Sequence, residues 1–407
     1  MMPSLSVLPA VRQLRTALGT ILLTCAAAAS TGLPPMLDLP GTGGDPMKID
    51  FTTLPVLRGE WAIVSHGNSP WPFRNHNYLA WFEGRYWAMW SHGLRQEDFP
   101  EQHVQYATSV DGLTWTESKP IVGPSPDRDF RYIARGFWTH DGKLLALASH
   151  DESYDATGRK KLFGPSLELR AYRWDSMAER WFPFGVMAKD TINNFPPVQL
   201  ADGNWAMTRR EHNLKVSMLL GGVKSPLEWT DIPLTMPPGS DFRADEPVLS
   251  VLPDGRVIGL FRDNSKSKRL YRALSVDHGR SWSTPEKTNF PDATSKFFTL
   301  RTTRGYYVLV SNASPAPDQR IPLCLSVSEN GLTYNRMARL PVPAAPQDFR
   351  PRTGVRKAAG FQYPHAIEHD GHLQIIYSRD MKTVETLRIA LDEVDRLRRT
   401  NLAEGTK

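Results

Sequence analysis

Cysteine is scarce: the 407 residues carry only Cys25 and Cys324. That excludes a disulfide framework, so packing must supply the stability. Long apolar runs are also lacking, and beyond residues 17–29 none is long enough to cross a bilayer. No helical segment of useful length is apparent. The eleven histidines form no ligand pair at helical or zinc-finger spacing. That pattern predicts no metal site and no cofactor, and leaves open a structural calcium in a channel. Zinc-finger, RNP and basic-helix signatures are absent, and the lysines and arginines are scattered. The net charge of +6 therefore points to an anionic partner such as an acidic oligosaccharide or polysaccharide, and not to nucleic acid.

At the N-terminus, Arg12 and Arg15 precede the apolar run, and Ala27, Ala28 and Ala29 form a small-residue cleavage site. Residues 1–29 read as a signal peptide, which implies a periplasmic or secreted protein. Leu22-Leu23-Thr24-Cys25 faintly resembles a lipoprotein box, but Thr24 is a poor residue there, so anchoring through Cys25 is not expected. Cleavage would leave Cys324 alone. Residues 30–52, rich in Pro, Gly and Asp, read as a linker, 53–395 as the folded domain and 396–407 as a tail. A monomer is expected.

What the chain has in plenty is aromatic residues, glycine and proline: 12 Trp, 12 Tyr, 17 Phe, 29 Gly and 33 Pro. This suits many short strands and tight turns. One pattern recurs six times: an apolar strand, a turn ending in glycine, a second apolar strand. The turn glycines are 84, 142, 203, 255, 305 and 371. Four of the six turns read Asp-Gly, a strong hairpin signal. Like units at this spacing predict an all-β, six-bladed β-propeller. Seven blades result if residues 60–65 build a further blade with the C-terminal strand.

A second signature follows some hairpins. Ser275, Asp277, Gly279 and Trp282 form a full S-x-D-x-G-x-x-W box. Ser109, Asp111, Gly112 and Trp115 give a version one residue shorter, as do Ser328, Asn330, Gly331 and Tyr334. The acid or amide should close an outer turn while the aromatic packs between blades.

In a propeller the inner strands start at one common mouth. Seven to nine positions before the turn glycines stand His76, Arg135, Asn194, Glu246, Lys296 and Tyr363. All are polar or ionisable, which is what a site requires. The bland alternative is that strand starts are polar because they face solvent.

The boxes resemble the Asp-box (BNR) repeats of the sialidase superfamily over roughly residues 60 to 390. The resemblance implies an exo-acting glycosidase on a terminal acidic sugar. It implies three carboxylate-binding arginines, matched here by Arg74, Arg262 and Arg320, while Arg135, Asn194 and Lys296, found by their strand-start positions, are further candidate substrate contacts. It also implies a tyrosine nucleophile, Tyr363, activated by Glu246. The acid/base carboxylate should lie in the loop after the first hairpin, where Asp98 is the nearest candidate and Glu97 the next. One departure stands out. His76, between Asn75 and Asn77, replaces the Ile-Pro of the first-arginine motif. This is similar to propeller hydrolases and lyases acting on rhamnosyl-glucuronate, in which His76 would be a base. A uronate lyase is therefore the alternative, and a glycan-binding propeller without catalysis a second one.

Overall fold

In a computed structural model, residues 32–67, 71–154, 158–159, 162–345 and 360–399 are described. The expected signal peptide and Cys25 lie outside them. Among the described residues no helix is long and apolar enough to cross a membrane.

The strands form six four-stranded antiparallel sheets. Five are consecutive in sequence: blade one from Phe73 to Val122, two from Phe130 to Lys189, three from Val198 to Pro233, four from Ala244 to Pro291 and five from Phe298 to Arg339. Blade six takes Phe361–His369, His372–Arg379 and Thr383–Ala390 from the C-terminal part, and Glu60–Ser65 as its outermost strand. Glu60 pairs with Arg388 and Ser65 with Val384. The seventh blade is thus ruled out. Residues 60–65 close the ring by completing blade six, which ties the two ends of the domain together and covers a free sheet edge.

Turn chemistry explains the hairpins, with one refinement. In blades one, two and six both turn residues are left-handed, as at Asp141 (φ 48) and Gly142 (φ 69). In blades three, four and five only the glycine is, as at Gly255 (φ 85), and its N–H bonds back to the Leu252 carbonyl at 3.0 Å. The first three are thus two-residue turns with positive φ at both positions, and the other three are longer loops. Blade three has the shortest inner strand, Val198–Gln199, since the preceding Pro196 and Pro197 have no N–H for a ladder.

The three boxes sit between the third and fourth strands of blades one, four and five. Asp111 accepts the N–H groups of Leu113 and Thr114 at 2.9 and 2.7 Å, and Asn330 those of Leu332 and Thr333 at 2.8 and 3.0 Å. Trp282 packs into a cluster shared by blades three and four. Tyr334 meets Phe290 of blade four edge-on, with ring centroids 5.7 Å apart.

Two boundaries read from the sequence change. Residues 36–39 are not a free linker, because Met36, Leu37 and Leu39 are buried in the main core cluster. Asn289 brackets Leu37 with hydrogen bonds of 2.9 and 2.8 Å, and the Tyr334 N–H donates to the Met36 carbonyl at 2.8 Å. These apolar residues seal the outer edge between blades four and five. The tail does not begin at 396, since Leu391–Arg399 is a helix whose Leu391, Val394 and Leu397 are buried against blades five and six.

Blade six also holds a buried ion cluster. Glu385, fully buried, accepts from Arg379 at 2.5 and 2.9 Å, from the Tyr377 hydroxyl at 2.7 Å and from the Trp61 indole at 2.9 Å. It therefore fastens the closing strand to its neighbours. Glu385→Ala strands the Arg379 charge and is expected to destabilise the domain by about 3–5 kcal/mol, read as a lowered urea midpoint. An unchanged midpoint would contradict this role.

Candidate active site

All six predicted strand-start residues are buried, from 1% exposure at Asn194 and Lys296 to 8% at Tyr363. Solvent exposure therefore does not explain their polarity. The inner strands kink at this level. Register shifts fall between Asn75 and Tyr78, Ala134 and Gly136, Asp245 and Val248, and Gln362 and His365. Each inserts one extra residue opposite its neighbour strand, a bulge that redirects side chains. His76 (φ 55), Glu246 (φ 41) and Tyr363 (φ 53) occupy the left-handed region at these kinks. Non-glycine residues rarely adopt it, and such strain clusters at functional sites.

The kinks bring His76, Arg135, Glu246 and Tyr363 into one cavity of about 290 Å³. That is at the small end for ligand pockets. Arg210, Asp245 and Arg262 also line it, as do Glu97 and Asp98 from the loop after the first hairpin. A larger cavity of about 500 Å³ opens among blades three, four and five, but residues such as Met207, Val248 and Phe298 make it mostly apolar. The ionisable groups line the smaller one.

Most charges in the site are paired. Arg262 binds Glu246, and Arg210 binds Asp245. Burial alone would raise the Glu246 carboxyl, but the charges of Arg262, Lys296 and Arg210 hold it below the usual carboxylate range. The Tyr363 phenol is pushed well above its ordinary value, first by burial and then by Glu246 and Glu97. The rings of Tyr363 and His76 meet edge-on with centroids 4.9 Å apart. His76 Nε2 is 2.9 Å from Glu97, and its Nδ1 is 3.0 Å from the Ser91 hydroxyl, which accepts the Ala134 N–H at 2.9 Å. Burial holds the imidazole below its usual value against the pull of Glu97. Both ring nitrogens are thus engaged, and Glu97 is oriented toward the cavity by a fixed imidazole.

Several expected residues behave differently. Arg74 does not join the cluster. Its Nε bonds to Ser65 at 2.8 Å and its guanidinium also to the Trp71 carbonyl at 2.5 Å, so it faces the closing strand of blade six. Asp98 is ion-paired to Arg131 at 2.8 Å, and Arg131 also grips Asp151 at 3.0 Å. Of the two loop carboxylates, Glu97 is the one in contact with His76. Arg320 lies beside the cluster without lining the cavity: it binds Gln362 next to Tyr363 and donates to the Thr294 carbonyl at 3.3 Å. Lys296 lies deeper, 2.7 Å from the Tyr78 hydroxyl and 5.4 Å from the Tyr363 ring centre. Asn194 is also deeper, and its carbonyl accepts the Tyr78 hydroxyl at 2.9 Å. Among the described residues no group of His, Cys, Asp and Glu is arranged to hold a metal ion.

Arg210 was missed by the strand-start rule, because it ends a second strand. A parallel rule finds it. Seven positions after the turn glycines stand Ser91, Ser149, Arg210, Arg262, Asn312 and Ser378, all polar and all buried. Three of them brace the first ring: Ser91 meets His76, Ser149 accepts the Arg135 Nε–H at 2.9 Å and Arg262 binds Glu246.

Residues 180–375 match the family described as BNR repeat-like domain. A solved sialidase superposes with a TM-score of 0.61 at 17% identity, covering 88% of this chain and 35% of that one. The chain is a six-bladed propeller with the sialidase fold. The intramolecular trans-sialidase from Ruminococcus gnavus gives a TM-score of 0.62 at 11% identity, covering 84% of the propeller chain and 99% of its own. The NanB sialidase from Streptococcus pneumoniae gives 0.61 at 10% identity, covering 82% and 71%. The propeller chain spans about a third of the length of the first of these sialidases. At such identities the likeness is one of fold. No curated protein matches the sequence.

Behind Arg262, Asp292 accepts the N–H groups of Asp263 and Thr294 at 2.8 and 2.7 Å, and burial raises its carboxyl to about 7. A carboxyl raised on folding favours the folded state while protonated. Its contribution is full below the unfolded value of 3.8 and is lost as pH rises through about 7. Asp292→Asn is therefore expected to flatten the fall in stability between pH 4 and pH 7, measured as melting temperature against pH. An unchanged slope would count against the raised carboxyl.

Proposed function

We propose that the propeller is an exo-acting glycoside hydrolase cleaving a terminal acidic sugar, with Tyr363 as nucleophile. The observation behind this reading is the sharing of one cavity by the Tyr363 phenol, the Glu246 carboxylate and the Arg135, Arg210 and Arg262 guanidiniums. A neutral phenol attacks poorly and needs an adjacent base. Glu246 is the strongest charge acting on it. In the proposed first step Glu246 takes the phenol proton while the tyrosine oxygen bonds to the anomeric carbon. The glycosidic C–O bond breaks, and the leaving oxygen takes a proton from the Glu97–His76 pair. Water then attacks the same carbon, gives its proton to that pair and releases the sugar, and Tyr363 regains its own proton from Glu246. An uncharged nucleophile suits a substrate that carries its own negative charge. The guanidiniums supply planar forks for that charge. Glu97 and His76 are both held below their ordinary values, so the pair gains the required proton as pH falls. Hydrolysis should therefore be faster below neutrality.

A second reading draws on the closeness of His76 to Tyr363. Two proton-carrying groups side by side next to guanidiniums also suit β-elimination at a glucuronate. One group would remove the C5 proton and the other protonate the leaving oxygen.

The test is a screen of the purified protein against sialosides, glucuronides and rhamnosyl-glucuronate glycans, read by mass spectrometry. Products that gain water support the hydrolase. An unsaturated product absorbing in the ultraviolet supports the lyase. Tyr363→Phe is expected to lower hydrolysis on the order of 10³-fold or more, with binding retained, whereas the lyase should depend more steeply on His76→Ala. Binding of acidic glycans with no turnover by the wild type would leave only the glycan-binding propeller.

A further inference from the structure

Four permanent cations stand in the cavity wall: Arg135, Arg210, Arg262 and Lys266. Three of them face carboxylates. Arg210 is paired with Asp245, Arg262 with Glu246, and Lys266 with Asp318 at 3.2 Å. Arg135 is different. It is only 4% exposed, its Nε–H goes to the Ser149 hydroxyl at 2.9 Å, and it also reaches the Tyr78 hydroxyl. The field of Asp151 reaches it, but both Asp151 oxygens are engaged by Arg131, at 3.0 and 3.1 Å. No carboxylate among the described residues is in ion-pair contact with Arg135. A buried guanidinium without a counter-charge is unfavourable, and a ligand that brings one relieves it.

Geometry supports the same point. Arg135 is the extra residue of the blade-two bulge, and Ser149 in the adjacent strand fixes its Nε. The fork is thus held before any ligand arrives. Its field acts on His76 and Lys296, whereas the guanidiniums acting most on the Tyr363 phenol are Arg262 and Arg320.

We propose that Arg135 receives the carboxylate of a carboxylated sugar, on the His76 side of the cavity, and that Arg262 instead positions Glu246. This rests on the reading that the cavity takes an acidic sugar. It assigns the carboxylate to an arginine outside the set of Arg74, Arg262 and Arg320 that the sialidase resemblance implies.

The experiment is calorimetric titration of the full chain with D-glucuronate and N-acetylneuraminate, with D-glucose and the methyl ester of glucuronate as uncharged controls. The proteins are the wild type, Arg135→Gln, Ser149→Ala and Arg262→Gln, each checked for folding by circular dichroism. Arg135→Gln is expected to weaken the acids roughly 10- to 100-fold and leave the ester unchanged. Ser149→Ala, which removes only the anchor of the fork, should weaken the acids by a smaller factor in the same selective way. Arg262→Gln should keep acid binding and lose turnover. The inference is overturned if a folded Arg135→Gln binds acids like the wild type while Arg262→Gln does not. Should Arg135→Gln fail to fold, equal weakening of acid and ester in Ser149→Ala overturns it. If neither acid binds the wild type, the acidic-sugar reading fails, and this assignment fails with it. Loss of acid binding in Arg262→Gln alone leaves that reading standing.

Discussion

The site depends on a backbone constraint repeated around the axis: inner strands that kink where they reach the mouth. A regular strand alternates its side chains between the two faces of its sheet. Those faces pack against the neighbouring blades, so an unkinked strand would send His76 or Tyr363 into an inter-blade core. The extra residue at each bulge redirects the chain. His76, Glu246 and Tyr363 hold left-handed conformations there, a strain of about 1–3 kcal/mol each. Packing on both sides overdetermines it. Next to each kink lies a fully buried aromatic on the second strand: Trp90, Phe261 and Tyr377.

Charge balance follows from that convergence. Bringing guanidiniums and carboxylates to one enclosed mouth removes them from water, and each needs a partner. The fold supplies partners from the same blade, Glu246 for Arg262 and Glu97 for His76, or from the next blade, Asp245 for Arg210. The boxes serve a separate purpose. Asp111, Asp277 and Asn330 satisfy turn amides at the outer rim, far along their sheets from the mouth. They stabilise blades whatever the mouth binds, which is why the same fold can serve different chemistries.

The starts of the inner strands were legible because a polar residue ahead of an apolar strand is a local contrast. Their burial was not, since exposed and buried polar groups look alike in a sequence. Arg74 shows the limit. It sits two residues from His76, but the bulge begins after it, so its side chain turns to Ser65 on the closing strand. Asp98 and Glu97 are adjacent, and only the positions of Arg131 and His76 decide which one is taken up structurally. Arg210 was recoverable by counting forward from the turn glycine as well as backward.

The sequence by itself determined the blades. Turn glycines, apolar alternation and boxes are local signals, and each hairpin forms from residues within about twenty of each other. Tertiary structure decided how the ring closes and what meets at its mouth. The strand at 60–65 pairs with residues more than three hundred positions away, and no local pattern encodes that choice. Which guanidiniums converge depends on side-chain direction at each kink, and that direction is set by the packing of neighbouring blades.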